Sequence, residues 1–128
     1  MDTSRILVVE DDMFLRELYV DILTGEGYKV ESAVDGEDAL AKMKLGGYDL
    51  VLLDIIMPKM DGLSVMKQMQ NAPPQAPNKS VVFLTNLDKD EEIRTALSLG
   101  NGYLIKSQIT PGSLVEEVKM YLGKNKPA

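Results

Sequence analysis

Four carboxylates, one hydroxyl and one amine stand where they could act together. Glu10, Asp11 and Asp12 follow directly on the apolar run Ile6–Val9, Asp54 follows Val51-Leu52-Leu53, Thr85 follows Val81–Leu84, and Lys106 follows Tyr103–Ile105. Singly, each has a plain structural explanation. Asp11 or Asp12 can cap a helix that begins near Met13. Asp54 can open a turn, Thr85 can be the last residue of a strand, and Lys106 can sit solvated at an edge. As a set they demand more, because several acids in one cleft repel each other and a buried charge needs a partner. A hard divalent cation offsets that repulsion, and Mg²⁺ typically takes one or two carboxylates together with phosphate oxygens and water. A lysine beside the same cleft points to a second anion such as a phosphoryl group, to which a threonine hydroxyl can donate.

These residues meet only if their runs lie side by side. The four runs Ile6–Val9, Leu50–Leu53, Val81–Leu84 and Tyr103–Ile105 are continuously apolar, and Tyr28–Ala33 is a weaker fifth. Such runs suit strands buried on both faces. Between them, apolar residues recur at helical spacing. The first set is Phe14, Leu15, Leu18, Ile22 and Leu23, stopping at Gly25; the second is Ala39, Leu40, Met43 and Leu45, stopping at Gly46-Gly47. Leu63, Met66 and Met69 form a third, and Ile93, Ala96, Leu97 and Leu99 a fourth that ends at Gly100. Leu114, Val115, Val118 and Leu122 form a fifth, with Pro111 in its first turn. Strand and helix alternate five times, which predicts an α/β domain with one parallel sheet between two helix layers. Ligands of such sheets bind at the carboxyl ends of the strands, where the acids, Thr85 and Lys106 fall. In the loop after Asp54, Pro58 holds Met57 extended, Gly62 is assigned backbone freedom, and a carbonyl is a candidate further ligand. The Pro-rich stretch Asn71–Lys79 is a surface connector.

Composition narrows the chemistry. A chain of 128 residues suits one domain with one core. With no cysteine there is no disulfide scaffold, thiol nucleophile or thiolate zinc site, and with no histidine there is no Ser-His-Asp triad or imidazole ligand. The net charge of −6 argues against direct nucleic-acid binding and is compatible with binding a cation. No apolar run approaches a membrane span or a signal peptide, so a cytoplasmic protein without membrane contact is expected. Residues 1–123 are expected to form the domain and 124–128 a frayed tail.

Four motifs in combination, Leu7-Val8-Val9-Glu10-Asp11-Asp12, Leu52-Leu53-Asp54-Ile55-Ile56-Met57-Pro58-Lys59-Met60-Asp61-Gly62, Phe83-Leu84-Thr85 and Gly102-Tyr103-Leu104-Ile105-Lys106, resemble the receiver domain of two-component response regulators. The resemblance runs from about Arg5 to Leu122. It implies a chemotaxis-regulator-like, doubly wound fold with the flavodoxin-like strand order 2-1-3-4-5. It implies that Asp54 is the phosphoacceptor and a metal ligand, that Asp11 binds Mg²⁺ directly, that Glu10 acts through water, and that the Ile56 carbonyl completes the set. Thr85 and Lys106 would hold the phosphoryl oxygens, and Tyr103 would be the switch aromatic that turns inward when Thr85 is drawn to the phosphoryl group. The implied phosphodonor is a sensor histidine kinase or histidine phosphotransfer protein. The implied output is binding of a downstream target protein through the fourth helix, fifth strand and fifth helix. The chain would then be no enzyme beyond promoting its own phosphoryl transfer and self-hydrolysis.

Departures from the family pattern carry their own expectations. Ser107 replaces the usual proline after Lys106, which predicts a trans bond, since cis before a non-proline costs about 2.5–4 kcal/mol. Asn86 stands where a small residue is usual. Ile56 and Leu87 are apolar where rapidly resetting members carry polar groups, so a long-lived phosphorylated form is expected. Gly100-Asn101-Gly102 replaces an acid-rich stretch, which favours a monomer over a charge-mediated dimer, with dimerisation on phosphorylation as the alternative. The competing readings are a silent interaction module on the same fold, a receiver fragment of a larger regulator, and an enzyme. The enzyme reading lacks a Walker loop, a glycine-rich dinucleotide turn and a D-x-D strand.

Overall fold

The apolar runs form five strands: β1 (Arg5–Val9), β2 (Lys29–Ala33), β3 (Leu50–Asp54), β4 (Val81–Thr85) and β5 (Gly102–Ile105). The intervening segments form α1 (Met13–Gly25), α2 (Gly36–Leu45), α3 (Gly62–Asn71), α4 (Asp90–Leu99) and α5 (Pro111–Lys124), with a 3-10 turn at Lys106–Gln108. The structure, a computed structural model, describes residues 3–86 and 90–125, apart from the side chains of Asp90 and Glu92. All strand pairs are parallel and the order is β2-β1-β3-β4-β5. Strands β3 and β4 are buried at every position, as continuous apolar runs require, whereas the edge strand β2 alternates.

Short polar side chains start the helices. Asp12, Asp35 and Asp61 accept backbone N–H groups at the first turns of α1, α2 and α3, and Thr110 forms a reciprocal capping box with Ser113 ahead of Pro111. Each such cap contributes about 1 kcal/mol. Three of them follow a strand closely or close a site loop, so they also fix where the loops at the carboxyl edge leave the sheet.

The sheet separates two cores. On one side α2, α3 and α4 cover Leu7, Val9, Val51, Leu53, Val81 and Phe83; on the other α1 and α5 cover Ile6, Val8, Leu50, Leu52, Val82 and Leu84. The buried methionines Met43, Met57, Met66 and Met69 all lie in the first core, with Met60 packed against it, and the second is built from branched aliphatics and tyrosines.

Two expectations need correction. In α1 the inward stripe is Leu15, Tyr19, Ile22 and Leu23, while Phe14 is 75% and Leu18 39% exposed. The helix carries apolar residues on two adjacent stripes, and only one can face the sheet. At the other end, α5 continues to Lys124, and Asn125 is tied down: Ser80 Oγ donates to its Oδ1 at 2.6 Å, and its Nδ2 donates to the Asp49 carbonyl at 2.9 Å. The packed body therefore reaches beyond residue 123. Among the described residues no helix is long and apolar enough to cross a membrane.

Candidate functional site

The carboxyl ends of β1, β3, β4 and β5 converge as the topology requires. Glu10, Asp11, Asp54, Ile56, Thr85 and Lys106 line one cavity of about 280 Å³, with Asp12, Leu15, Ile55 and Asn86 on its walls. The register explains the convergence: Asp54 pairs with Leu84 and Thr85 with Ile105, so one step further along each strand brings the polar residues to the same edge. Glu10, Asp54 and Thr85 are buried at 0%, 2% and 3% exposure.

Lys106 is the hub. Its Nζ lies 2.6 Å from Asp54 Oδ2 and 2.7 Å from Glu10 Oε1. The contact to Glu10 is one of charge and distance; Oε1 receives no directed hydrogen bond. Burial pushes the Asp54 carboxyl up to about 8, and the neighbouring Glu10 adds to the rise while Lys106 opposes it. Burial would raise Glu10 as well, but Asp54 and Lys106 together hold it below the usual carboxylate range. Burial would lower Lys106, yet its two carboxylate partners keep it protonated and raise it. Two buried acids thus share one ammonium, and the site carries one negative charge too many to ionise fully.

A divalent cation fits that surplus. Oxygens of Glu10, Asp11 and Asp54 lie within 4.8 Å of one another, an all-oxygen donor set of the kind hard cations take. Glu10 Oε1 has only the ammonium it shares with Asp54, through a contact without hydrogen-bond direction, which leaves room for a further positive partner. Asp12, the third acid of the run, is otherwise occupied: its Oδ1 caps Leu15 N at 3.0 Å, and its own N–H donates to Glu10 Oε2 at 3.3 Å.

The loop after Asp54 is shaped by contact. A Cβ on Gly62 would sit 2.3 Å from the Asp54 carbonyl oxygen, so the glycine is required by space and not by the backbone freedom expected of it. Gly36 meets the same loop from α2, where a Cβ would lie 1.9 Å from the Met60 carbonyl oxygen. Lys59, in the left-handed region at φ 70°, ion-pairs with the cap residue Asp35 at 3.4 Å. The Lys106–Ser107 bond is trans, as the cost of a cis bond without proline predicts.

Tyr103 lies apart from the cavity. It is partly buried, packs against the α2–α4 core, and pairs in register with Phe83, two residues before Thr85. Side chains alternate along a strand, so Thr85 and Tyr103 share one face of the sheet. Ile56 is 60% exposed on the cavity wall. Leu87, paired with it in the sequence, lies outside the described residues. One residue at the site went unread in the sequence: Arg16, whose Nη1 donates to the Glu10 and Asp11 carbonyls at 2.8 and 3.3 Å. Its signal is position alone, one helical turn beyond the cap Asp12.

The response regulator receiver domain profile matches residues 6–119. The chain is 42% identical over 106 residues to the chemotaxis protein CheY of Treponema pallidum, covering 80% of this chain and 72% of that protein. It is 36% identical over 116 residues to the transcriptional regulatory protein DltR of Streptococcus agalactiae, covering 91% of this chain and 50% of that protein, and so spans about half of that relative's length. Among solved structures it is similar to the Francisella response regulator 1452 receiver domain, at TM-score 0.84 and 27% identity over 97% of this chain and 100% of that one. It is also similar to the response regulator TrrA of Thermotoga maritima, solved with Mg²⁺ and BeF, at TM-score 0.77 and 34% identity over 93% of this chain and 99% of that one. With the profile spanning the sheet and the acidic cavity at its carboxyl edge, this chain belongs to the response regulator receiver domain family of two-component systems.

Proposed function

We propose that Asp54 accepts a phosphoryl group from a phosphohistidine on a sensor kinase or phosphotransfer protein, with Mg²⁺ held by Glu10, Asp11, Asp54 and the Ile56 carbonyl, Glu10 acting through water. The observation that carries this reading is the Lys106 ammonium shared between two buried carboxylates beside the exposed Asp11. None of these 128 residues is a histidine, so the phosphohistidine lies outside them. The cation supplies charge neutralisation for phosphoryl oxygens and keeps Asp54 ionised. Asp54 attacks phosphorus as the carboxylate, forming an O–P bond as the donor's N–P bond breaks; the imidazole leaves with the electron pair and takes a proton from water, and Asp54 becomes an acyl phosphate. Lys106 turns from the carboxylate to the phosphoryl oxygens, and the Thr85 hydroxyl donates to one of them.

The movement of Thr85 makes room for Tyr103 on the same sheet face, and the α4–β5–α5 surface changes its affinity for a target protein. Ile56 and Leu87 are apolar and offer no group to orient water, and this outweighs the Asn86 amide on the cavity wall, so the acyl phosphate is long-lived. In this reading the chain works in the cytoplasm as a monomer.

The test is incubation with acetyl phosphate, with and without Mg²⁺, followed by mass spectrometry. One added phosphoryl group is expected, dependent on Mg²⁺ and absent from Asp54→Asn. Labelling that persists in Asp54→Asn removes the assignment, and wild-type protein that is never labelled points to the silent interaction module.

A further inference from the structure

We propose that Arg16 is a positioning residue for the metal site, its guanidinium clamping the peptide carbonyls of Glu10 and Asp11 so that both acids are held where the cation binds. The proposal rests on the receiver reading above. The two carbonyls belong to residues between the end of β1 at Val9 and the start of α1 at Met13, past the strand ladder and ahead of the helical hydrogen bonds. The Glu10 carbonyl is part-buried, where a backbone acceptor needs a partner, and the Asp11 carbonyl is exposed. Arg16 supplies one to each, at 2.8 Å to Glu10 and 3.3 Å to Asp11.

The clamp is itself anchored. The Arg16 N–H donates to the Asp12 carbonyl at 2.9 Å, and the Asp12 carboxylate caps Leu15 N at 3.0 Å. The first turn of α1 is therefore fastened to the acidic loop through backbone, cap and guanidinium together. Glu10 is fixed further through its carboxylate, which accepts from Asp12 N and meets Lys106. Asp11 stands exposed between these pinned peptides, and its placement depends on them.

Charge and geometry pull in opposite directions here. A guanidinium beside a cation site repels the cation, so removing it should tighten metal binding if charge were its only effect. Removing a group that orients ligands weakens binding, typically by tenfold or more. The sign of the change identifies the role.

The experiment is calorimetric titration of Mg²⁺ into the full unphosphorylated chain as wild type, Arg16→Gln and Arg16→Lys, with thermal unfolding as a check on folding. The expected result is Mg²⁺ affinity weakened about tenfold in Arg16→Gln. Arg16→Lys keeps the charge, but its side chain is one atom shorter and has no rigid guanidinium plane to hold a single nitrogen, as Nη1 is held, between the two carbonyls, so it is also expected to be weaker. Labelling by acetyl phosphate should need more Mg²⁺ in both variants but reach the wild-type maximal rate at saturation. Unchanged or tighter binding in Arg16→Gln overturns the proposal, as does wild-type affinity in Arg16→Lys. A maximal rate that stays depressed at saturating Mg²⁺ also overturns it, by placing Arg16 in the chemistry. If Arg16→Gln does not fold, Arg16→Lys decides. Wild-type protein that binds no Mg²⁺ defeats the receiver reading and the clamp with it.

Discussion

Asp54 binds its proton more tightly in the folded chain than in the unfolded one. Its carboxyl is raised from 3.8 to about 8 by burial and by Glu10. A carboxyl raised on folding lends stability that is complete below its unfolded value and is lost as pH rises through its folded value. Metal-free protein should accordingly lose stability between about pH 4 and about pH 8 on account of this group. A cation at the site replaces the proton, so Mg²⁺ should raise the melting temperature more at about pH 9 than at about pH 6. Equal Mg²⁺ effects at the two values would contradict the assignment. Asp54→Asn removes the charge that cannot be accommodated, and it should stabilise metal-free protein at the higher pH by about 1 kcal/mol or more, measured by denaturant unfolding. Lys106 alone does not settle the balance, because it is one cation between two acids.

At the scale of elements, the loop from Asp54 to Gly62 is held by close approach from both ends. Gly62→Ala forces a Cβ against the Asp54 carbonyl, 2.3 Å away before relaxation, in backbone that cannot yield cheaply. A loss of about 1–3 kcal/mol is expected, with weakened Mg²⁺ binding because Asp54 is the proposed ligand. Gly123→Ala, in α5 with nothing within 4 Å, is the control and should be neutral or stabilising by up to about 1 kcal/mol. The strands were legible beforehand because a parallel sheet covered on both faces reads as unbroken apolar runs, and their order along the chain put Glu10, Asp11, Asp54, Thr85 and Lys106 at one edge. The face of α1 was not, since Phe14 and Leu18 are as apolar as Leu15 and Ile22 and only packing decides between them. Nor was the reason for Gly62, because close contact with a carbonyl eight residues away belongs to the folded loop. Arg16 was hidden for a similar cause: an arginine on an exposed-looking helix turn has no sequence mark to separate a clamp from a solvated charge.

Across the whole molecule, Thr85 and Tyr103 lie on the side of the sheet covered by α2, α3 and α4. If they form the switch, Tyr103→Ala should leave labelling of Asp54 within about twofold while target affinity, measured with and without phosphorylation, stops responding to it. Retained response in that variant would remove Tyr103 from the path. The distribution of sulfur between the two cores bears on how such a path works. Thioether chains are unbranched, turn about three bonds and refill a changed space at little cost, whereas branched and aromatic chains hold one arrangement. All four buried methionines line the core against which Tyr103 packs. The opposite core, under α1 and α5, has none among its described members. The sheet is thus backed by branched and aromatic side chains on one side and by adaptable thioethers on the other, so a displacement at its carboxyl edge would be taken up at less cost in the layer under α2, α3 and α4 than in the layer under α1 and α5.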